Sequence, residues 1–472
     1  MSDEKTVDKT ASVGGDAGPA ENDPAIMSTV RGRYITWPTD SKCLQSLLTV
    51  HYVEDDDAQA NFSARRRFEV DATRSGVGLM SALAPAPASK AKKPEALPVD
   101  AIKTCVATWQ TDANGDHEPA DEITVDDLPA IMTRVDKDKA LQKARTKAKA
   151  EVFTPSWVCA KMNGDVDARI LRPDDSNAVD PFGRIDSKAH EVTNPRSRKT
   201  KIVTTSWFEP NVETVDCSAL DSEPGNRDGW LRYLTERRLE ITCGEAPYLC
   251  SRYDATTGDP IPVVKTVVDA EGVERQAYSR HGLLDRKLRV LAEQTQSLRE
   301  AESREAYSEH WLQLSTLALK SCYGYEWQGD SQLLARANMV EDMREWWLAV
   351  CWPGAAAGDK SLPIVVERAW WEIVSWNIWQ ADGLKNVLPC SCSDGCEACA
   401  KGRGCYVGHD GKHCVVRMWR SKVAARLTTG ALCPNPVRGE VAMLDVLGGL
   451  GGKLMEMGEW KSGKTSRRTQ AR

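Results

Sequence analysis

Apolar residues recur along this chain at two periods, and the alternation between them predicts its elements. Residues 285–321 (DRKLRVLAEQTQSLREAESREAYSEHWLQLSTLALKS) and 339–350 (MVEDMREWWLAV) place apolar side chains three and four apart. That spacing lines one face of a helix, so both segments are predicted to be amphipathic helices. The shorter runs RGRYITWP and LQSLLTVHYV, within 28–80, predict strands of a small β-rich or mixed unit. From about residue 151 apolar runs, turn signals and helical periods alternate, as they do in α/β units. Residues 239–249 (LEITCGEAPYL) read as a strand running into a helix through a tight loop at Gly244. Glycine suits such a loop because it lacks Cβ and lets backbone approach a ligand closely.

Breaks in the pattern set the expected boundaries. Residues 1–27 are polar and acidic with no apolar core, which predicts a disordered tail rather than a secretory signal. A variable region spans 28–140, with an Ala/Pro/Lys-rich linker at 81–100. An α/β domain is expected at 141–385, a Cys-rich module at 386–437, and a segment with a basic tail at 438–472. With 472 residues the chain is long enough for two or more domains.

Charge and cysteine content narrow the class. A net charge of -6 excludes a uniformly basic nucleic-acid coat. Locally, residues 131–150 are strongly basic and favour helix; Lys143, Arg145, Lys147 and Lys149 there either face solvent or contact phosphates. Fifteen cysteines without a secretory signal favour reduced thiols and a cytoplasmic location, and no apolar run suits a membrane span. Seven of those cysteines fall between Cys390 and Cys433, which points to a metal. Cys396-x-x-Cys399 has knuckle spacing, and glycines nearby permit the turns of a closed tetrahedral zinc site. Cys392, Cys396, Cys399 and Cys414 are the first choice of ligands, with Cys390, Cys405 and His413 as substitutes. Seven tryptophans fall in 346–379, expected mostly as core, with one or two able to stack on a base.

Four segments stand in order: EVFTPSWVC at 151–159, the Gly244 turn, YGYEWQGDSQLLARAN at 323–338, and NIWQADGL at 377–384. In this order they resemble the N6-adenine DNA methyltransferases of restriction-modification systems, and more closely the proteins labelled restriction endonuclease subunit M. Phe153, Thr154 and Pro155 match the family's F-x-T-P or Y-T-P segment, which closes over the methionine part of S-adenosylmethionine. Glu240, Cys243, Gly244, Tyr248 and Leu249 match its glycine turn, with Ile241 in place of Pro and Ala246 in place of the second Gly. Tyr323, Gly324, Glu326, Ala335, Arg336 and Asn338 match its next segment. The resemblance makes Glu326 the acceptor of the ribose hydroxyls and places Asp382 beside the adenine.

The resemblance implies a Rossmann-like S-adenosylmethionine-dependent methyltransferase core, preceded by the mixed N-terminal region and followed by the zinc module. It implies methyl transfer to adenine N6 in double-stranded DNA, with a restriction or specificity subunit as partner. The chain departs from the family at one point. No N/D-P-P-Y/F tetrapeptide occurs; Cys433-Pro-Asn-Pro-Val437 and Asp180-Pro-Phe182 are only partial matches. That tetrapeptide would accept the adenine amino protons and stack on the flipped base, so no catalytic residue is assigned. The alternative is a catalytically inactive cofactor- or DNA-binding subunit, or half of a split enzyme.

Overall fold

A computed structural model describes residues 34–50, 52–53, 107–111, 117–123, 125–149, 153–193, 197–269, 271–355, 358–381, 413–419 and 453–456. The first element is a helix, α1 (Ser41–Leu48), where the sequence predicts a strand. Asp40 decides this by accepting from the Lys42 and Cys43 N–H groups, which leaves Cys43, Leu47 and Leu48 to bury one face. Strands β1 (Tyr52–Val53), β2 (Ala107–Thr111) and β3 (His117–Glu122) follow. Helix α2 (Lys139–Lys149) then falls within the basic segment.

Helix α3 (Ser156–Leu171) leads into a long antiparallel ribbon, β4 (Gly183–Thr193) and β5 (Thr200–Pro210). Its register runs without a slip from Gly183↔Pro210 to Thr193↔Thr200. After α4 (Gly229–Thr235) comes β6 (Arg238–Ile241), then the hairpin β7 (Val264–Val268) and β8 (Glu274–Tyr278). Helices α5 (Leu283–Gln294), α6 (Gln296–Ala301) and α7 (Arg304–Lys320) carry the chain to β9 (Cys322–Glu326). Helices α8 (Gly329–Cys351) and α9 (Ile364–Asn377) carry it to β10 (Ile378–Gln380). Two further strands, β11 (His413–Met418) and β12 (Lys453–Glu456), form a second sheet with β1.

The sheet that positions the site is β10-β9-β6, parallel throughout, with Glu240↔Gly324 and Gln380↔Glu326 in register. β9 is central and buried along its whole length, as expected of a parallel strand covered on both faces. The surrounding core is rich in tryptophan: Trp311, Trp346, Trp370, Trp371, Trp376 and Trp379 are fully buried. Trp346 donates to Asp285, Trp347 to Ser308 and Trp370 to Thr316, whereas Trp311 and Trp371 Nε1 are buried without a hydrogen-bond partner among the described residues.

The charges of α5 depart from an amphipathic reading. Asp285, Arg286, Lys287 and Arg289 are all buried. Each is met by partners from distant segments, as a buried charge requires. Arg286 pairs with Asp167 and Asp180, and its guanidinium lies over Phe182 at 4.6 Å. Lys287 donates to the Tyr233, Leu234 and Glu236 carbonyls and to Ser321 Oγ, while Asp285 accepts from Ser251 and Gly282. Among the described residues no helix is long and apolar enough to cross a membrane.

Candidate functional site

The carboxyl ends of β6 and β9 lie side by side, and the turn after β6 folds back over them. Cys243 N–H donates to the Tyr325 carbonyl at 2.8 Å, which carries the turn across β9. Within it Thr242, Gly244 and Ala246 all take left-handed backbone conformations, with φ of 53°, 54° and 67°. Gly244 does so freely. Thr242 and Ala246 pay the strain that side chains meet there, of order 1 kcal/mol or more each. Ala246, where the resemblance leads one to expect a glycine, takes a backbone conformation that glycine favours. No helix follows the turn, in contrast to the expectation; the chain makes further turns and a hairpin before α5 begins at Leu283.

Glu326 ends β9 and meets this turn directly. Its Oε2 accepts from Gly244 N–H at 2.8 Å, and its Oε1 accepts from Gln328 N–H at 3.0 Å. Burial raises its pKa beyond what the Gln328, Gly244 and Trp327 N–H groups restore. A carboxylate offers about four lone-pair positions, so three backbone donors leave room for about one more. Glu240, on β6, is buried deeper. Burial drives its pKa well upward, the Tyr248 N–H opposing this and neighbouring Glu326 adding to it. Its Oε2 is closed to solvent without a hydrogen-bond partner. A buried polar oxygen without a partner is costly, and protonation of the carboxyl lowers that cost.

Phe153 packs edge-on to the turn: a Cβ at Gly244 would lie 3.4 Å from its ring. The Arg134 guanidinium covers the same ring at 5.1 Å. Pro155 caps α3, and the Thr154 carbonyl accepts from Cys159 Sγ at 3.9 Å. Tyr248 is half-buried beside Thr154 and donates to Met162 Sδ at 3.0 Å. Cys243 is buried, and burial, then Glu240 and Glu326, push its thiol well up, which disfavours a reactive thiolate. Phe153, Thr154, Pro155, Glu240, Cys243, Gly244, Tyr248 and Glu326 thus gather around one turn. Asp382 lies outside the described residues; the preceding Ala381 N–H donates to the Glu326 carbonyl at 2.9 Å.

Other motif residues prove structural. Arg336 is fully buried and donates to the Ser46, Leu47, Thr49, Ser375 and Ile378 carbonyls, closing the ends of α1 and α9. Asn338 Nδ2 donates to the Glu245 carbonyl and to Tyr253 Oη, both at 3.0 Å, and so braces the turn. Sequence reasoning passed over Glu245, whose carboxylate accepts from Arg134 N–H at 2.6 Å and Tyr253 Oη at 2.7 Å. Its only signal is its place beside Gly244. Arg145, a candidate phosphate contact, instead pairs with Asp330 at 2.7 Å, in the first turn of α8.

Cys392, Cys396 and Cys399 lie outside the described residues, as does the side chain of Cys414 on β11. Among the described residues no group of three His, Cys, Asp or Glu is placed to hold a metal. No family model, curated protein or solved structure matches the chain.

Proposed function

We propose that this chain binds S-adenosylmethionine at the carboxyl ends of β6, β9 and β10. On this reading it acts as a modification (M) subunit-like methyltransferase, methylating adenine N6 in DNA in a cytoplasmic restriction-modification system with a restriction or specificity subunit as partner. The observation that carries the reading is the Gly244–Glu326 contact: a left-handed turn after one parallel strand, held by the carboxylate that ends the next. Strand order β10-β9-β6 equals the 3-2-1 order of one mononucleotide-binding half, whose ligands sit outside the carboxyl ends. On this reading the core is Rossmann-like.

The turn also discriminates between cofactors. Dinucleotides rest their pyrophosphate on a helix N-terminus directly after the glycine turn. None starts here among the described residues, which favours an adenosyl ligand without phosphates. Glu326 would take a ribose hydroxyl, and Phe153 would close the methionine side. When bound, S-adenosylmethionine supplies an electrophilic methyl on a sulfonium. A structural zinc on Cys392, Cys396, Cys399 and Cys414 belongs to the same proposal.

The missing N/D-P-P-Y/F favours a second reading, in which the chain binds the cofactor and a partner completes catalysis. Labelled S-adenosylmethionine, unmethylated duplex DNA and the purified chain separate the two. Saturable binding with label incorporated into adenine supports methyl transfer by the chain alone. Binding without incorporation supports the second reading, and no binding overturns both.

A further inference from the structure

Among the described residues, the outer half of the β4–β5 ribbon is exposed along both strands. At about 3.3 Å per residue its eleven-residue strands reach roughly 35 Å. Its root is fixed. Phe182 and Phe208 are buried, Arg286 lies over both rings, and Lys265 pairs with Glu209 at 3.1 Å. Phe208 also packs on His281 at 5.0 Å, and His281 Nε2 lies 3.0 Å from the Ser156 carbonyl. The root is thereby tied to the helix that follows Phe153, Thr154 and Pro155.

Beyond the root, charge and register single out one face. Residues 187–204 hold five Lys or Arg against one Glu, in a chain of net charge -6. The pairs Lys188↔Thr205, His190↔Val203 and Val192↔Lys201 share a face, and Arg198 and Lys199 sit in the connecting turn. Lys188, Arg198, Lys199 and Lys201 are all exposed, and none has an ion-pair partner among the described residues. The other face is largely hydroxylic, with Ser187–Ser206 and Thr193–Thr200 contacts of 2.8 and 2.9 Å, and also carries Glu191 opposite the exposed Ile202.

We propose that the basic face and tip of the β4–β5 ribbon dock in the major groove of double-stranded DNA. This deepens the methyltransferase reading by naming the surface that would hold its substrate, and it rests on that reading for the biological role. The choice of DNA is physical. The B-form major groove, about 12 Å wide, admits a two-stranded ribbon, whereas that of duplex RNA is too narrow for side chains to read. Lys188, Arg198, Lys199 and Lys201 meet phosphates, and the ribbon's hydroxyl groups add neutral donors.

The test compares the full-length parent with a ribbon variant (Lys188→Gln, Arg198→Gln, Lys199→Gln, Lys201→Gln) and a charge-matched control (Lys161→Gln, Arg169→Gln, Arg275→Gln, Arg304→Gln). Binding to a 25-base-pair DNA duplex is read by anisotropy across salt concentrations. Each lost phosphate contact lowers the salt slope by about 0.9, so the ribbon variant should lose roughly 2 to 4 units of slope and at least about tenfold in affinity. The control should keep the parent's slope, and S-adenosylmethionine affinity by calorimetry should be unchanged in all three. Equal losses in both variants, no loss in the ribbon variant, equal binding to duplex RNA, or binding to phosphatidylserine vesicles in place of DNA would each overturn the proposal. Intact DNA binding by the ribbon variant would leave the cofactor reading standing, whereas loss of cofactor binding in the parent would remove that reading alone.

Discussion

Replacing Glu326 by Gln isolates the proposed ribose contact with little change of volume. The carboxylate accepts backbone N–H groups from Gly244 at 2.8 Å and Gln328 at 3.0 Å, with Trp327 N–H as a third donor, and its remaining lone pair would serve a ribose hydroxyl. A glutamine has one acceptor oxygen, which one backbone N–H already needs, and its amide NH2 faces the other N–H. The ligand would therefore lose at least one charge-assisted hydrogen bond, about 1.5–3 kcal/mol, or roughly 10- to 150-fold in Kd. Stability should move less. Burial raises the Glu326 pKa, so the ionised side chain already costs the folded state something at neutral pH, and the neutral amide removes that cost while losing one backbone contact. Titration calorimetry with S-adenosylmethionine at pH 7.5 reads the affinity, and urea unfolding confirms the fold. A Kd within about threefold of the parent's, in a variant that unfolds like the parent, would refute the ribose assignment, since no hydrogen bond of this class is that weak.

Three further outcomes follow from the same structure. Arg336→Met should cost about 3–5 kcal/mol in urea unfolding, because it strips donors from carbonyls at the ends of α1 and α9; a loss under about 1 kcal/mol would show that water or neighbours replace them. Burial pushes Glu345 up, but Arg252 and Arg280 outweigh it and bring its pKa from 4.5 down to about 2. This depressed carboxylate adds stability that is present above pH 4.5 and lost as pH falls toward 2. It is worth up to about 3 kcal/mol, so Glu345→Gln should flatten the stability–pH curve there, and an unchanged slope would contradict the pairing. For the Cys-rich module, metal analysis should find one zinc per chain and a lower zinc content in Cys396→Ser; a metal-free, fully folded protein would contradict the ligand assignment.

Local pattern was enough for much of this chain. The helical pattern marked α7 and α8 as helices, although α8 proves buried nearly all round rather than amphipathic; Leu239-Glu240-Ile241 marked β6, and the small residue at 244 marked the turn, because each signal is carried by neighbours in sequence. The same reasoning failed where a partner far along the chain decides the outcome. LQSLL is helical because Asp40 caps it and α9 covers it. The charges of α5 are buried because Asp167, Asp180 and the carbonyls after α4 wait inside to receive them, and no local period reveals partners a hundred residues away.

The candidate site divides in the same way. Phe153, Gly244 and Glu326 were each visible as residue types suited to a ligand. Their meeting was not, because parallel strands pair only after long crossovers, and Gly244 and Glu326 lie 82 positions apart. The sequence by itself determined which residue types could serve a ligand and where a backbone can turn, since these follow from side-chain composition and local sterics. Tertiary structure alone decided that Glu326 holds the turn, that Arg336 and Asn338 brace it, and that Arg145 answers Asp330. Burial, desolvation and pairing between distant segments exist only once the chain is packed.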